Sequence, residues 1–112
     1  MSGCLFCSII AGDIPSEKVY EDDAVYAFRD ISPQAPVHIL VIPKEHIESA
    51  ARVTKDNSAC VARCFEAIAL LGEKLGLGDY RVVSNCGARA GQSVFHLHFH
   101  VLAGRDMAWP PG

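Results

Sequence analysis

The sequence predicts an α+β domain in which an antiparallel sheet of about five strands packs against one long helix, with a short helix near the N-terminus. Three observations support this prediction. Short apolar segments bounded by turn residues occur in both halves of the chain, helical periodicity extends over one long segment, and that segment lies between predicted strands. Because 112 residues suffice for one hydrophobic core and not for two, we expect a single domain over residues 1–112.

The first half of the chain contains three predicted strands. An apolar helix precedes a turn with Gly12 and Pro15, and an acidic triplet separates the two strands of a hairpin. Two prolines exclude helix and inner strand from the next loop, and the β-branched strand that follows ends at Pro43. In chain order the predicted elements are the short helix over 5–10, strands over 19–20 and 24–29, the loop over 32–36 and a buried strand over 37–42.

The second half begins with the long predicted helix over 54–75. Thr54 or Asn57 can cap its start, and two glycines follow its end. Apolar residues recur near the i, i+4, i+7 spacing, so we expect one face to pack on the sheet, with Val61, Phe65, Ile68, Leu71 and Leu75 on it. Two more strands, over 80–84 and 94–102, and an irregular tail over 109–112 complete the prediction.

The composition excludes several classes of protein. Ten basic and thirteen acidic residues leave a net charge of −3, which disfavours a protein built around nucleic-acid phosphates. We find neither an apolar run that spans a bilayer nor a secretory signal, so we expect no membrane partner. Five cysteines are an odd number, which is unusual for a secreted disulfide framework. We therefore expect a cytoplasmic protein with reduced or metal-bound thiols.

Histidines alternate along the last predicted strand, at positions 96, 98 and 100. In a strand they share one face, about 6.6–6.8 Å from one to the next, whereas a helix would disperse them around its axis. The other face of the strand then carries Leu97, Phe99 and Val101, which can pack under the long helix. Aligned imidazoles repel one another when protonated, so packing alone does not favour the pattern. Two interpretations remain: a metal chelate, or a nucleophile with neighbours that orient it.

The run His96–Leu102, in which histidines alternate with apolar residues, resembles the signature of the histidine-triad (HIT) superfamily of nucleotide hydrolases and transferases. The resemblance extends from Phe6 to the C-terminus. The ending over 104–112, which closes with Trp-Pro-Pro-Gly, is similar to the Hint branch of that superfamily. Further segments that resemble this branch are 28–36, 42–46, Asn85 and 91–94.

The resemblance implies a hydrolase of purine nucleoside 5′-phosphoramidates, such as adenosine phosphoramidate or AMP linked to a lysine amine. AMP, GMP and their phosphoramidates are then the expected ligands. His98 matches the nucleophile, which forms a nucleotidyl-histidine that water hydrolyses. His100 matches the residue that contacts the α-phosphate, and Ser93 matches a hydroxyl that binds a phosphate oxygen near the leaving group. His96, the first histidine of the triad, is placed in the same catalytic group.

The resemblance also implies a set of nucleotide-binding residues. Asp30 matches the carboxylate that binds the ribose hydroxyls, while Asn85 and Gln92 match polar residues that line the phosphate site. The residues that match the apolar base pocket are Phe6, Ile9, Phe28, Ile31 and Leu40. From the residues themselves, the backbone amides of the 91–94 turn, up to Val94, can hold phosphoryl oxygens. Taken singly, the short polar residues can equally cap or form turns.

A second candidate site begins with the Cys-x-x-Cys pair Cys4 and Cys7. This pair is half of a zinc site and needs two more ligands, which His46 and His96 can supply. The same four ligands resemble those that hold a structural zinc ion in some HIT proteins. In Hint members without the cysteine pair, the two matching histidines instead form a hydrogen-bonded relay beside the nucleophile. We expect a closed zinc site, with Cys60 and Cys64 as small core residues of the long helix.

The resemblance implies a homodimer in which Trp109 reaches the leaving group in the partner's active site. A small sheet with an apolar edge is also expected to be covered by a second copy. Two other functions compete with the phosphoramidase. One is a different HIT enzyme that cleaves dinucleoside polyphosphates or transfers a nucleotidyl group. The other is a nucleotide-binding adaptor whose catalysis is incidental.

Overall fold

The computed structural model describes residues 3–112 and has the predicted α+β architecture. Five antiparallel strands form one sheet in the order β1-β2-β3-β5-β4. Single turns of 3-10 helix over Ala50–Arg52 and Ala88–Ala90 lie in the connections. The elements are α1 (Leu5–Ile10), β1 (Lys18–Glu21), β2 (Val25–Arg29), β3 (Val37–Pro43), α2 (Ser58–Lys74), β4 (Tyr80–Val83) and β5 (Phe99–Ala103).

The two helices lie on opposite faces of the sheet. Apolar side chains of β2 and β3 alternate between the two faces, so each helix packs against its own apolar cluster. One face packs against α2 in a core that includes Ile39, Val41, Ile68 and Leu71. The other face packs against α1 in a smaller cluster made of Phe6, Ile9, Tyr26, Phe28, Leu40 and Ile42. The candidate site lies on this second face. Among residues 3–112, no helix is both long and apolar enough to cross a membrane.

Helix α2 begins at Ser58, four residues after the predicted start. The Asn57 side chain accepts a hydrogen bond from the Thr54 amide at 2.7 Å and donates one to the Arg52 carbonyl at 3.1 Å. It therefore closes the preceding turn and makes no capping bond to the helix. Asn57, one of the two predicted caps, is therefore the N-cap residue without a side-chain capping bond, and the first helical turn predicted from residue 54 was wrong.

The buried face of α2 is rotated relative to the prediction. Cys64 and Ala67 are buried there with Ile68 and Leu71, whereas Phe65 and Leu75 are 46% and 42% exposed. Small residues let the helix approach the sheet closely, so the large side chains at 65 and 75 move to its flank. The predicted core position of Cys64 is confirmed, and burial raises the pKa of its thiol to about 12. Cys60 packs at the edge of the same core.

Strand β5 begins at Phe99, so the strand predicted from residue 94 was wrong over its first five residues. The irregular segment before β5 is attached to the connection after β3 by the Leu97 amide, which donates to the Ile47 carbonyl at 2.6 Å. The predicted alternation is nevertheless confirmed in the face on which each side chain lies, although residues 96–99 are all buried. Leu97, Phe99 and Val101 lie in the core under α2, and His98 contacts Phe6 of α1 on the opposite face.

Candidate functional site

All five histidines of the chain lie along one line across the α1 face of the sheet. The ring centroids of His46 and His96 are 5.0 Å apart, as are those of His98 and His100. His38 continues the line at 5.1 Å from His100. Phe6 bridges the middle, because its ring contacts both His96 and His98. The site is thus a row of imidazoles supplied by β3, β5 and the segments that flank them.

His98 is 6% exposed, and a backbone hydrogen bond fixes its tautomer. Its Nδ1 lies 2.7 Å from the carbonyl oxygen of His96. A carbonyl only accepts hydrogen bonds, so Nδ1 carries the proton and donates it there. In the neutral ring the lone pair is then on Nε2. His98 is therefore prepared to act as a nucleophile or a base through Nε2.

His100 presents the opposite chemistry, through a chain of hydrogen bonds that starts at a backbone amide. The Gln34 amide donates to His38 Nδ1 at 3.0 Å, which places the proton of the neutral His38 ring on Nε2. His38 Nε2 then donates to His100 Nδ1 at 2.9 Å. The proton of neutral His100 is consequently on its Nε2. Two neighbouring rings thus offer a lone pair at His98 and an N–H donor at His100.

Burial keeps the rings of His38 and His100 uncharged. Burial, together with the nearby His98 and His38, lowers the pKa of His100 to about 4, against a smaller opposing effect of Asp30. Burial also lowers the pKa of His38, again opposed by Asp30, whose Oδ2 lies 3.5 Å from His38 Nε2. At neutral pH both rings are uncharged, as the hydrogen-bonded tautomers require.

We expect the fold to lose stability as the pH falls from about 6.5 toward 4. In this window an unfolded histidine binds a proton that folded His100, with its pKa of about 4, does not accept. The unfolded state therefore gains protons first, and the free energy of unfolding decreases. The decrease is less than the roughly 1.4 kcal/mol per pH unit of a fully shielded group, because the ring is only partly buried.

Urea unfolding of wild type and the His100→Asn variant at several pH values measures this effect. The variant lacks the titrating ring, so its unfolding free energy should depend less steeply on pH over the same window. Its slope is not expected to vanish, since burial also lowers the pKa of His38. Equal slopes for the two proteins would contradict the prediction.

Four of the five residues predicted for an apolar base pocket lie together beside His98. Phe6, Ile9, Phe28 and Leu40 are all buried in the α1 cluster, and the rings of Phe6 and Phe28 meet edge to face at 5.4 Å. Ile31 is 99% exposed and is not brought into the cluster. Its exposure follows from its place in the loop after β2, outside the regular sheet.

The loop before β5 carries the remaining predicted polar residues. Gly87 and Gly91 adopt positive φ values of 93° and 99°, which glycine tolerates without strain. Ser93 is exposed, Val94 packs against the α1 cluster, and Asn85 is half-buried next to Gly91. Gln92, in contrast, is buried, and its side-chain amide bonds to backbone groups.

The other end of the histidine row is a cluster of four potential metal ligands: Cys4, Cys7, His46 and His96. One ligand atom from each residue lies within 4.8 Å of all the others. His96 Nδ1 lies 3.5 Å from Cys4 Sγ, 3.6 Å from Cys7 Sγ and 3.2 Å from His46 Nδ1. Zinc bonds of about 2.3 Å to sulfur and 2.0–2.1 Å to nitrogen imply ligand separations of about 3.3–3.8 Å at a tetrahedral ion. The cluster fits this geometry.

A second observation also fits a metal. His96 is completely buried, and its Nε2 lies 2.8 Å from the carbonyl oxygen of Pro43. The proton is therefore on Nε2, and the lone pair of Nδ1 points to the two sulfurs and to His46. A backbone acceptor that fixes the free nitrogen of a ligating histidine is typical of protein metal sites. The predicted four residues are thus brought together, and they could hold zinc.

A cavity of about 520 Å³ opens beside this cluster, on the side of the exposed Ser93. It is lined by Gly3, Cys4, Leu5, His46, Glu48, Ser93, Val94 and Phe95. Trp109 lies elsewhere in the protomer. It is 81% exposed, and its ring lies 5.9 Å from the guanidinium carbon of Arg81.

His38 is the site residue that the sequence analysis missed. Its position in the apolar strand 37–42 was interpreted as core, and the residue is indeed 5% exposed. A signal was present, because a buried histidine in an otherwise apolar strand needs a polar partner. The partner, His100, is 62 positions away in the chain, and only the register of β3 with β5 brings the two together.

Comparison with known proteins agrees with this architecture. The HIT domain family model matches residues 11–107. A HIT-like protein of Synechococcus elongatus is 47% identical over 96% of each chain. A protein of Zea mays named 14 kDa zinc-binding protein is 45% identical over 99% of this chain and 89% of its own.

Solved structures show the same fold. The crystal structure of a HIT family hydrolase from Legionella pneumophila superposes with a TM-score of 0.95 at 46% identity. The match covers 98% of this chain and 100% of that one. The chain therefore belongs to the HIT domain family.

Proposed function

We propose that this protein hydrolyses purine nucleoside 5′-phosphoramidates through a nucleotidyl intermediate on His98. The HIT fold supports nucleotide hydrolase or transferase activity. The observation that carries the finer proposal is the pairing of a lone pair on His98 Nε2 with a proton on His100 Nε2, each fixed by hydrogen bonds. A nucleophile and an adjacent donor are what attack on a phosphoryl group requires.

The reaction divides into two displacements. In the first, His98 Nε2 attacks the α-phosphorus, the P–N bond to the amine breaks, and the amine leaves with a proton taken from solvent, to which the water of the second step returns one. In the second, water attacks the same phosphorus, the bond to His98 breaks, and AMP or GMP departs while water loses a proton. His98 thereby recovers its lone pair. Each step is easier than a direct displacement by water, because imidazole is the better nucleophile and a good leaving group.

The phosphate oxygens would be bound by hydrogen-bond donors. His100 Nε2–H, the Ser93 hydroxyl and the backbone amides of Ser93 and Val94 are donors, and none of them adds a second negative charge. The Gly91 and Gln92 amides are already bonded to carbonyls of the same loop. The −3 net charge does not oppose this local binding of one nucleotide. Phe6 and the other residues of the α1 cluster offer an apolar contact for the purine. Asn85 lies next to Gly91, in the loop that carries Ser93.

Asp30 is proposed to bind the ribose hydroxyls, and its replacement tests this role. Asp30 Oδ1 accepts a hydrogen bond from the Ser32 backbone amide at 2.7 Å. Asp30→Asn keeps an oxygen that can accept this bond but removes the negative charge of the carboxylate. We expect KM for adenosine phosphoramidate to rise by about tenfold or more, the cost of a charge-assisted hydrogen bond. KM for a 2′,3′-dideoxy analogue should change little. An equal rise for both substrates would show that Asp30 acts instead through His38.

We further propose that the protein is a Hint-type homodimer in the cytoplasm. The Trp-Pro-Pro-Gly ending supports the branch, and the exposure of Trp109 away from the histidine row supports its contact with the leaving group of a partner. Five unpaired cysteines support a reducing compartment. Light scattering should give twice the monomer mass of 12.1 kDa. A monomer at micromolar concentration would refute the dimer.

The zinc site is proposed to be structural. Its four ligands leave no open position for substrate, so a bound ion would attach α1 to the segments around β3 and β5. Through His96 the same ion would hold the carbonyl that fixes the His98 tautomer. No step of the reaction requires it.

Steady-state assays separate the candidate activities. Adenosine phosphoramidate and AMP-lysine should be turned over faster than diadenosine polyphosphates. A preference for the polyphosphates would favour the other hydrolase, and binding of AMP without turnover of any of these compounds would favour the adaptor.

A further inference from the structure

Gln92 has no side-chain N–H group left to donate to a phosphate oxygen. Its side chain is 4% exposed. Oε1 accepts a hydrogen bond from the Gly87 amide at 2.8 Å, and Nε2 donates to the carbonyls of Glu48 at 2.8 Å and Val94 at 3.1 Å. Both protons of the amide group are therefore used, and both acceptors are backbone. A residue that contacts the nucleotide would need at least one of these atoms free.

These bonds join two separate segments of the chain. Within the loop, the Gln92 backbone amide donates to the Gly87 carbonyl at 3.0 Å, so residues 87 and 92 are connected in both directions. Across the fold, Gln92 reaches Glu48, 44 positions earlier, in the connection after β3. The loop before β5 is thus closed on itself and attached to the connection after β3.

The attachment controls where Ser93 lies. Ser93 is exposed and lies between Gln92 and Val94 in the chain. The Gln92 side-chain amide donates to the Val94 carbonyl and so bonds across Ser93. Gly91 lies two residues before Ser93 and has a φ of 99°. Because glycine can adopt many backbone conformations, the turn has alternatives unless other bonds restrict it. The Gln92 side-chain amide supplies those restrictions, so the Ser93 hydroxyl keeps one position.

We infer that Gln92 is a positioning residue that acts through Ser93, rather than a contact for the nucleotide phosphate. This inference rests on the proposed function of Ser93 as a phosphate ligand. It assigns the glutamine a different role from the one implied by the family resemblance, in which its side chain lines the phosphate site. The difference is decided by geometry, because the side chain points into the protein and is saturated there.

A double-mutant cycle tests the inference. Gln92→Glu keeps the size and the acceptor but removes the two N–H bonds, and we expect kcat/KM for adenosine phosphoramidate to fall by about tenfold or more, as loss of alignment does. In a Ser93→Ala background the same change should have little further effect, since the hydroxyl it positions is gone. Additive losses would overturn the inference and indicate a direct contact. Asn57→Asp is the matched control, because Asn57 also bonds two backbone groups, in the turn before α2.

Calorimetric titration with AMP gives a readout that does not depend on turnover. The cycle should again be non-additive in the dissociation constant for AMP, and Asn57→Asp should leave that constant unchanged. If wild type binds AMP but hydrolyses no phosphoramidate, the proposed function fails while the positioning role can still be measured. Should Gln92→Glu not fold, Gln92→Met, which adds no charge, replaces it in the cycle. Independent, additive effects in either variant refute the inference.

Discussion

Replacement of His98 by alanine is expected to lower kcat for adenosine phosphoramidate by at least about 10⁴-fold, because the nucleophile itself is removed. The loss should appear in kcat and not as a rise in KM. The purine, ribose and phosphate contacts proposed above do not depend on the His98 ring. Single-turnover and steady-state rates for wild type and variant measure both constants.

Two controls make this result specific. The His98→Ala variant should bind AMP with an affinity close to that of wild type, which shows that the site has kept its shape. The His100→Ala variant keeps the nucleophile, so mass spectrometry after rapid quenching should detect a nucleotidyl adduct on it and not on His98→Ala. Undiminished turnover by His98→Ala, or the same adduct on that variant, would reject the mechanism.

The parts of this site that depend on local spacing could be predicted from sequence. Alternation at positions 96–101 predicted an imidazole side and a core side, and the packing partners confirm it although residues 94–98 are not a regular strand. Ahead of the strand, the Leu97 amide is bonded to the Ile47 carbonyl in the connection after β3. The Cys-x-x-Cys pair likewise indicated half of a cluster that the structure completes.

The parts that depend on distant contacts could not be predicted in this way. The His38–His100 bond needs the register of β3 with β5, which spacing within one segment does not contain. Gln92 is a similar case, because its role follows from reaching Glu48. The face of α2 was predicted only in part. Ile68 and Leu71 are buried and Val61 packs against the core as expected, whereas Phe65 and Leu75 are exposed, because Cys64 and Ala67 allow closer packing than Phe65 would.

Helix α1 is the element that a metal ion at the Cys4–Cys7–His46–His96 cluster would stabilise. It has six residues, far fewer than an isolated helix needs to be stable in water. It is held to the sheet by Phe6 and Ile9, and at its N-terminus by the two cysteines of the cluster. Cys4 Sγ also accepts a hydrogen bond from the Cys7 amide at 3.3 Å, so a thiolate there would cap the first turn.

Removal of zinc is therefore expected to destabilise the protein strongly. Protein made without a chelating tag should contain about one equivalent of zinc per chain by plasma mass spectrometry. Dialysis against a chelator should lower Tm by roughly 10 °C or more, the shift expected when a domain of this size loses about 2–3 kcal/mol. Zinc alone should restore Tm. A zinc content below a tenth of an equivalent would disprove the site.

Cysteine variants then distinguish the zinc site from a histidine relay. Cys7→Ser should lose zinc and Tm together, whereas Cys86→Ser, which alters an exposed cysteine outside the cluster, should keep both. If His46 and His96 formed a relay beside the nucleophile, His46→Ala would lower kcat while Cys7→Ser would leave activity intact. If they hold zinc, the two variants lose metal and stability to the same extent. In that case any loss of kcat measured well below Tm is equal in the two variants and far smaller than in His98→Ala, because the ion would position the His96 carbonyl and take no part in the displacement at phosphorus.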